Sequence, residues 1–266
     1  MVINTKPYVI YSAVFGNYDN VVKPEKVFKD VDYILFTDQP VKQNPWRTVH
    51  VDWFNSVDTE FKDRRSARHF KALPGLYMPK ASMFIWTDMT HEVNVHPKDI
   101  KQLYVRDNDI ALFRHELRDC VFQEASAVLQ YKMDSQDNVD RQLQMYTKDK
   151  YKPRSGLWET PGVVRMNTPK MLQVGMMWWE MMCKYSSRDQ ISLPYVLDKM
   201  NVEVSRLPGF AGKCSNINNK VIPCVRKHNK EVMAARDRKK MSKYYSDVLA
   251  GYSIPINSIG APFVTR

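Results

Sequence analysis

The sequence predicts an α/β fold with a mostly parallel central sheet flanked by helices. Two patterns predict it: β-type apolar runs alternate with segments of helical periodicity, and several of these runs stop abruptly on polar or acidic residues. Alternating strands and helices are typical of parallel sheets, whose strands are buried on both faces. Open sheets of this kind bind ligands at the carboxyl ends of their strands. The residues that directly follow the apolar runs are therefore the first candidates for a functional site.

Five apolar runs are predicted to be strands, at residues 8–15, 32–37, 83–86, 109–113 and 162–166. The first is nearly continuous, as expected for a buried parallel strand, and it breaks at the turn formers Gly16–Asn20. The second ends on Asp38, and the third ends on Thr87 and Asp88. Both carboxylates are expected at the carboxyl edge of the sheet. For Asp88 the alternative is an acidic residue that simply begins a turn.

Helical patterns separate these strands, at about residues 60–73, from Pro97, at 119–132, at 135–150, from Thr168 and at 187–200. Thr168 and Pro169 combine a capping hydroxyl with proline at the first helical position, which indicates a helix start. Ser187 and Gln190 match a capping box, and an acid in the first turn suits the helix dipole. This local explanation of Asp189 is an alternative to a role in a site.

Length and charge indicate one α/β domain over residues 1–205 and a basic extension over 206–266. A chain of 266 residues can bury a full core, and its hydrophobic content of 44% is that of a folded globular protein. The net charge of +11 is concentrated at the C-terminal end, because residues 201–266 hold 12 lysines and arginines against 4 acids. Such an excess suggests an acidic partner for this end of the chain.

Targeting and cysteine patterns predict a soluble cytoplasmic protein. No apolar stretch approaches the length of a membrane span, and no signal-peptide core precedes the first strand. Without a secretory signal, the four cysteines are interpreted as reduced thiols. Cys214, Cys224 and His228 do not have the spacing of a standard zinc site, and a fourth ligand is missing.

The basic helix carries Arg65, Arg68 and Lys71 at positions i, i+3 and i+6. These positions share one side of a helix within about two turns. Three cations on one side suit a diphosphate, to which arginine offers planar bidentate contacts. The alternative is an ordinary solvated helix surface, since Lys62 and Arg64 show that much of this helix is charged.

Other motifs exclude some chemistries and leave one histidine open. There is no Gly-x-Gly-x-x-Gly spacing, no P-loop and no Gly-x-Ser-x-Gly elbow, so dinucleotide, Walker-type and serine hydrolase chemistry are not supported. The turn at Gly16 could still let the backbone approach a nucleotide, with Asp38 as a nearby acceptor. His115 ends the fourth strand and is a base, a metal ligand or a hydrogen-bonded core residue.

Together these segments resemble the glycosyltransferase-like domain family that includes the plant mucilage-related and turgor-defect proteins. The matching pieces occur in the family's order over roughly residues 8 to 200: 11–19, 36–38, 65–71, 85–88, 115 with 118–121 and 124–125, and 188–197. Two departures stand out. Met89 and Thr90 follow Asp88, so a full DxD is missing, and Arg165–Met166–Asn167 stands where an arginine followed closely by histidine is expected.

The resemblance implies a single GT-A-like (Rossmann-like) domain, and it assigns roles to individual residues. The implied catalytic residues are Asp189, Gln190 and His115. The implied nucleotide-sugar-binding residues are Phe15, Gly16, Asn17, Tyr18, Asp38, Arg65, Arg68, Lys71 and Trp86. The implied ligands of a divalent metal, Mn²⁺ or Mg²⁺, are Asp88 and His228. The acceptor-binding candidates are Arg118, Lys227, Lys230, Arg236 and Arg238.

The resulting hypothesis is a metal-dependent glycosyltransferase that moves a sugar from a nucleoside diphosphate, such as UDP, to an acceptor. The basic C-terminus and the missing targeting signal suggest DNA with a hydroxylated base, as in phage-type DNA modification in a host cytoplasm. A surface glycan or a lipid-linked acceptor is the alternative. Two other classes remain open, namely a non-catalytic nucleic-acid-binding protein and a hydrolase of lipid amides. The oligomeric state is left undetermined.

Overall fold

In the computed structural model, the described residues are 1–51, 61–152, 155–211 and 219–226. The strands are β1 Tyr8–Val14, β2 Val31–Thr37, β3 Arg47–His50, β4 Met83–Thr87, β5 Ile110–Arg114, β6 Trp158–Met166 and β7 Val204–Arg206. The helices are α1 Lys62–Ala72, α2 Pro74–Tyr77, α3 Pro97–Ile100, α4 Val121–Gln130, α5 Gln136–Lys148, α6 Pro169–Lys184 and α7 Asp189–Lys199. A π-helical turn, Lys101–Val105, continues α3.

The strands form one seven-stranded sheet in the order β3-β2-β1-β4-β6-β5-β7. β6 runs antiparallel to its neighbours β4 and β5, and every other pairing is parallel. The carboxyl ends of β1, β2, β4 and β5 therefore meet at one edge. The prediction of an α/β fold with a mostly parallel sheet is confirmed.

The sheet is buried on both faces, which explains why its inner strands are nearly continuous apolar runs. One face, which includes Tyr11 and Trp86, packs against α1 and α4 to α7. The other face, which includes Ile10 and Ile85, is covered by the chain after β4 and by residues 207–211 and 221–222. Successive strand residues point to opposite faces, so each run supplies both cores.

Helix α1 lies against α6 through a close backbone approach at Gly175. A Cβ at this position would overlap the carbonyl oxygen of Ala72, near the end of α1. Only glycine lets the two helices come this near. The contact holds the last turn of α1, which carries Lys71, over the sheet.

The structure differs from the prediction at two short strands and at the start of α7. The short strands β3 and β7 were not predicted, because they have four and three residues and are only partly buried. Helix α7 begins at Asp189 with Arg188 as its N-cap residue and without a side-chain cap. The predicted capping box is therefore wrong, because the Ser187 hydroxyl donates to Asp134 instead.

Part of the predicted basic extension packs on the domain. Leu207, Ala211, Val221 and Ile222 are buried in the second core. Arg226 reaches the buried carboxylate of Glu92, in the loop after β4. Residues 212–218 and 227–266 lie outside the described residues, and the boundary at residue 205 stays a prediction.

The state of the cysteines differs from the prediction. Cys120 and Cys183 are free, as expected. Cys224 is disulfide-bonded, so the interpretation of all four cysteines as reduced thiols is wrong. Within the described part of the chain, no helix is long and apolar enough to cross a membrane.

Candidate functional site

The turn after β1 meets the end of β2 at the carboxyl edge of the sheet. Gly16 and Asn17 have positive φ angles of +63° and +56°, which produce a tight reversal. The backbone N–H of Gly16 donates to the Asp38 carboxylate, at 3.1 and 3.3 Å from its two oxygens. A side chain on Gly16 would overlap the carboxylate of Asp63. Asp38 thus holds the turn in place, while Asn17 and Tyr18 are exposed beside it.

Asp88 lies directly after β4 at the same edge. Its backbone N–H donates to the carbonyl of Pro161 at 2.8 Å, and the indole N–H of Trp86 donates to its Oδ1 at 2.7 Å. Trp86 is 1% exposed, so it orients Asp88 from within the core and is not accessible to a ligand. The Asp88 side chain remains 23% exposed.

Two cations of α1 connect Asp88 with Asp189. Lys71 Nζ lies 2.6 Å from Asp189 Oδ2 and 3.8 Å from Asp88 Oδ1. Arg68 lies 3.2 Å from Asp189 Oδ2 through Nε and 4.0 Å from Asp88 Oδ1 through a terminal nitrogen. Burial, together with repulsion from Arg68, lowers the pKa of Lys71 to about 8 against the pull of both carboxylates. The carboxyl ends of β4 and α1 and the start of α7 therefore meet in one charged cluster.

Asp189 is the buried anion of this cluster, with an exposure of 1%. Thr160 donates to its Oδ2 at 2.9 Å, beside the Lys71 ammonium. Burial alone would raise the pKa of this carboxyl, but the charges of Arg68, Lys71 and Arg188 hold it well below its usual range. A carboxylate held this strongly is a poor proton acceptor. Its geometry suits orientation of the neighbouring cations.

Two further arginines, Arg64 and Arg188, lie beside this cluster. Neither was among the site residues predicted from the sequence. The Arg64 guanidinium donates to the carbonyl of Met133 at 2.7 Å and contacts Ser187 Oγ at 3.1 Å. Burial and the nearby charge of Arg188 lower the pKa of Arg64 to about 10. Arg64, Arg68 and Lys71 follow the spacing i, i+4, i+7, which is the signal that could have identified Arg64.

Arg65 is placed away from these residues. Its guanidinium donates to the carbonyl of Tyr185, after the end of α6, at 3.2 Å. Phe15 belongs to the core, since it is 5% exposed and its ring stacks on Phe70 with centroids 5.8 Å apart. Gln190 is half-buried in the first turn of α7, next to Asp189.

His115 and Arg118 form a separate buried cluster after β5. Arg118 Nε donates to Glu124 Oε2 at 2.8 Å. His115 Nδ1 lies 3.1 Å from the backbone nitrogens of Leu117 and Arg118, so it accepts hydrogen bonds from this turn. Burial, with a smaller effect of Arg118, lowers the pKa of His115 to about 4. The histidine is thus neutral and holds the turn, and the Arg118 guanidinium is occupied by Glu124.

The predicted residues of the C-terminal extension lie outside the described residues. They are His228, Lys227, Lys230, Arg236 and Arg238. Their roles in metal or acceptor binding stay predictions.

The donor set at Asp88 fits a metal that arrives with a phosphate ligand. The described residues contain no group of three or more histidines, cysteines or acids that could hold a metal ion. The described contacts of Asp88 engage Oδ1 and leave Oδ2 without a hydrogen bond within that part of the chain. Magnesium-type sites commonly use one or two carboxylates and complete their shell with phosphate oxygens and water.

The model of the TOD1/MUCI70 glycosyltransferase-like domain matches residues 1–216. A probable hexosyltransferase of Arabidopsis thaliana, MUCI70, is 26% identical in an alignment of 220 positions that covers 72% of this chain and 37% of the relative. The chain therefore spans little more than a third of this relative's length.

Two solved glycosyltransferases show weak structural likeness, each at 12% sequence identity. For the bifunctional enzyme WbbM the TM-score is 0.44, covering 78% of this chain and 40% of the other. For GlyE of Streptococcus pneumoniae it is 0.39, covering 77% and 45%. Likenesses at these TM-scores support no conclusion on their own. The family match, by contrast, covers most of the sequence and includes the strand ends and helices that form the charged cluster, so the chain belongs to the TOD1/MUCI70 glycosyltransferase-like domain family.

Proposed function

We propose that this protein transfers a sugar, of the hexose type, from a nucleoside diphosphate-sugar whose diphosphate binds beside Asp88. The observation that supports it most directly is the excess of cations at the sheet edge. Among the described residues, four cations lie close to three carboxylates: Arg64, Arg68, Lys71 and Arg188 beside Asp88, Asp134 and Asp189. Like charges held together in a partly buried site repel one another, and a bound anion relieves this repulsion.

The chain's own residues then have distinct tasks. Arg68 and Asp88 keep some exposure, so they are the groups of the central cluster that can touch the donor directly. The Arg68 guanidinium offers paired N–H donors to diphosphate oxygens. Lys71 is fully buried and acts through its charge and through its contact with Asp189. The turn at Gly16 and the Asp38 carboxylate form the edge next to which the nucleoside would lie.

Asp88 is the proposed ligand of a divalent metal, Mn²⁺ or Mg²⁺. When bound, such an ion would polarise the diphosphate and neutralise charge on the leaving nucleotide. Asp189, with its depressed pKa, is proposed to orient Arg68 and Lys71 and not to remove a proton from the acceptor.

Calorimetric titration with nucleoside diphosphates, beginning with UDP, tests this proposal. The wild type should bind one nucleotide more tightly with Mn²⁺ than without, and Asp88→Ala should lose the metal-dependent part. Asp32→Ala is a matched control, since Asp32 is 21% exposed at the opposite edge of the sheet and also lies near two cations, Lys6 and Arg47. No nucleotide binding by the wild type, or equal losses in both variants, would contradict the proposal.

The proposed acceptor belongs to one of two classes, DNA or a glycan. DNA with a hydroxylated base remains a candidate on the strength of the basic C-terminal residues, with a cytoplasmic location. The disulfide at Cys224 favours a surface glycan or lipid-linked acceptor instead, because structural disulfides are typical of oxidising compartments. Binding to duplex DNA that is unchanged in 0.5 M salt would argue against electrostatic DNA binding, which weakens steeply as salt rises. A purely nucleic-acid-binding protein would keep its full effect in Asp88→Ala.

A further inference from the structure

Asp134, in the turn between α4 and α5, is a buried carboxylate that joins two separate parts of the chain. Its Oδ1 accepts from the backbone of Ser135 at 2.8 Å and from the Asn138 amide at 3.2 Å. Its Oδ2 accepts from the hydroxyls of Ser186 and Ser187 at 3.0 and 2.7 Å and from the backbone of Ser187 at 2.9 Å. The side chain has no exposed surface.

The bonds on Oδ2 bind the segment that leads directly into α7. Ser186 and Ser187 immediately precede Arg188 and Asp189, the N-cap and first residue of that helix. Because α7 lacks a side-chain cap of its own, Asp134 supplies the fixed point that determines where its first turn begins. The position of Asp189 relative to α1 thus depends on a residue more than 50 positions earlier in the chain.

Asp134 also faces the Arg64 guanidinium, which lies 3.9 Å from its Oδ2. Arg64 is repelled by Arg68 and Arg188, and the charge of Asp134 offsets this repulsion. The same guanidinium contacts the Ser187 hydroxyl at 3.1 Å. One carboxylate therefore holds both a cation of α1 and the start of α7.

We propose that Asp134 is a positioning residue for the diphosphate site, which it shapes by fixing Arg64 and the Arg188–Asp189 start of α7 in one arrangement. This inference rests on the proposed function. Asp134 touches neither Asp88 nor Lys71 in the described structure, so it acts through the groups it holds. Loss of the Asp134 carboxylate should weaken binding of the second phosphate of a nucleoside diphosphate more than binding of the nucleoside.

An Asp134→Asn variant tests the proposal, because the amide keeps the shape but presents N–H groups or one neutral oxygen where two charged oxygens accept. Ser187→Ala is a milder second variant, which removes the hydroxyl bond to Asp134 and the contact with Arg64. Ser135→Ala is the control, since it removes the N-cap bond of α5 to Asn138 without touching the segment before α7.

The measurements are calorimetric affinities for UDP and UMP, with the melting temperature of each variant. For Asp134→Asn we expect about tenfold weaker UDP binding with a much smaller change for UMP, as for the loss of a charge-assisted hydrogen bond. Ser187→Ala should change the ratio of the UDP affinity to the UMP affinity in the same direction. Ser135→Ala should lower the melting temperature and leave this affinity ratio unchanged.

The outcomes distinguish failure of the proposed function from failure of the positioning role of Asp134. If the wild type binds neither UDP nor any other nucleoside diphosphate, the proposed function fails and the role of Asp134 fails with it. If the wild type binds UDP and both Asp134→Asn and Ser187→Ala keep the wild-type ratio, the positioning role is overturned while the proposed function stands.

Discussion

The buried pairing of Asp189 with Lys71 and Arg68 leads to a stability prediction that separates this aspartate from an ordinary helix-start acid. Replacing Asp189 by asparagine leaves the Lys71 ammonium with no exposed surface, and Asp88, 3.8 Å away, is then its remaining ion-pair partner among the described residues. The amide also disturbs the bond from Thr160 to Oδ2. The variant therefore leaves a buried cation poorly compensated.

Loss of one partner from a buried ion pair typically lowers stability by about 3–5 kcal/mol. We expect about 3 kcal/mol for Asp189→Asn at pH 7, because the amide retains one acceptor. The folded-state pKa of Asp189 is depressed, so its ionised form stabilises the native state above the unfolded pKa of about 4. This stabilisation is lost as the pH falls through the lower folded-state pKa. The difference between wild type and variant should accordingly narrow below about pH 4.

Urea unfolding followed by tryptophan fluorescence measures this difference. Asp137→Asn is the matched control, because Asp137 also lies in the first turn of a helix and pairs with Arg141 at 3.0 Å, but its side chain is 79% exposed. The control should lose less than about 0.5 kcal/mol. If the two variants lose the same free energy of unfolding, the buried cluster does not stabilise the fold as argued.

Further predictions concern Lys71, the α1–α6 contact and the disulfide. Because the pKa of Lys71 is about 8, the affinity for UDP should fall as the pH rises from 7 to 9.5, and calorimetry should show a weaker, pH-independent affinity in Lys71→Met. Gly175→Ala should lower stability by about 1–3 kcal/mol through overpacking, whereas Met176→Ala, at a position 56% exposed, should change it little in thermal unfolding. Mass spectrometry of alkylated, non-reduced protein should find Cys224 protected; a fully alkylated Cys224 would contradict the disulfide.

Much of the fold was predictable from sequence because its signals are local. The inner strands are apolar runs buried on both faces, and their ends on Asp38 and Asp88 place these acids at the carboxyl edge without any knowledge of the pairing order. The partners of Asp189 were not predictable in this way. Lys71 lies 118 positions away, and only the packing of α1 and α7 brings the two together.

The misplacement of Arg65 and the omission of Arg64 have one geometric cause. At 3.6 residues per turn, positions i, i+3 and i+6 spread over an arc of about 120°, whereas i, i+4 and i+7 stay within about 60°. Arg64, Arg68 and Lys71 therefore face the α7 start together, while Arg65 turns toward the end of α6. On so narrow a strip the three cations repel one another. Among the described residues, the carboxylate paired with Arg64 is Asp134, which also holds the segment before Asp189. The anions of the cluster are thus tied to its cations, and the positive excess among the described residues is the basis of the proposed diphosphate site.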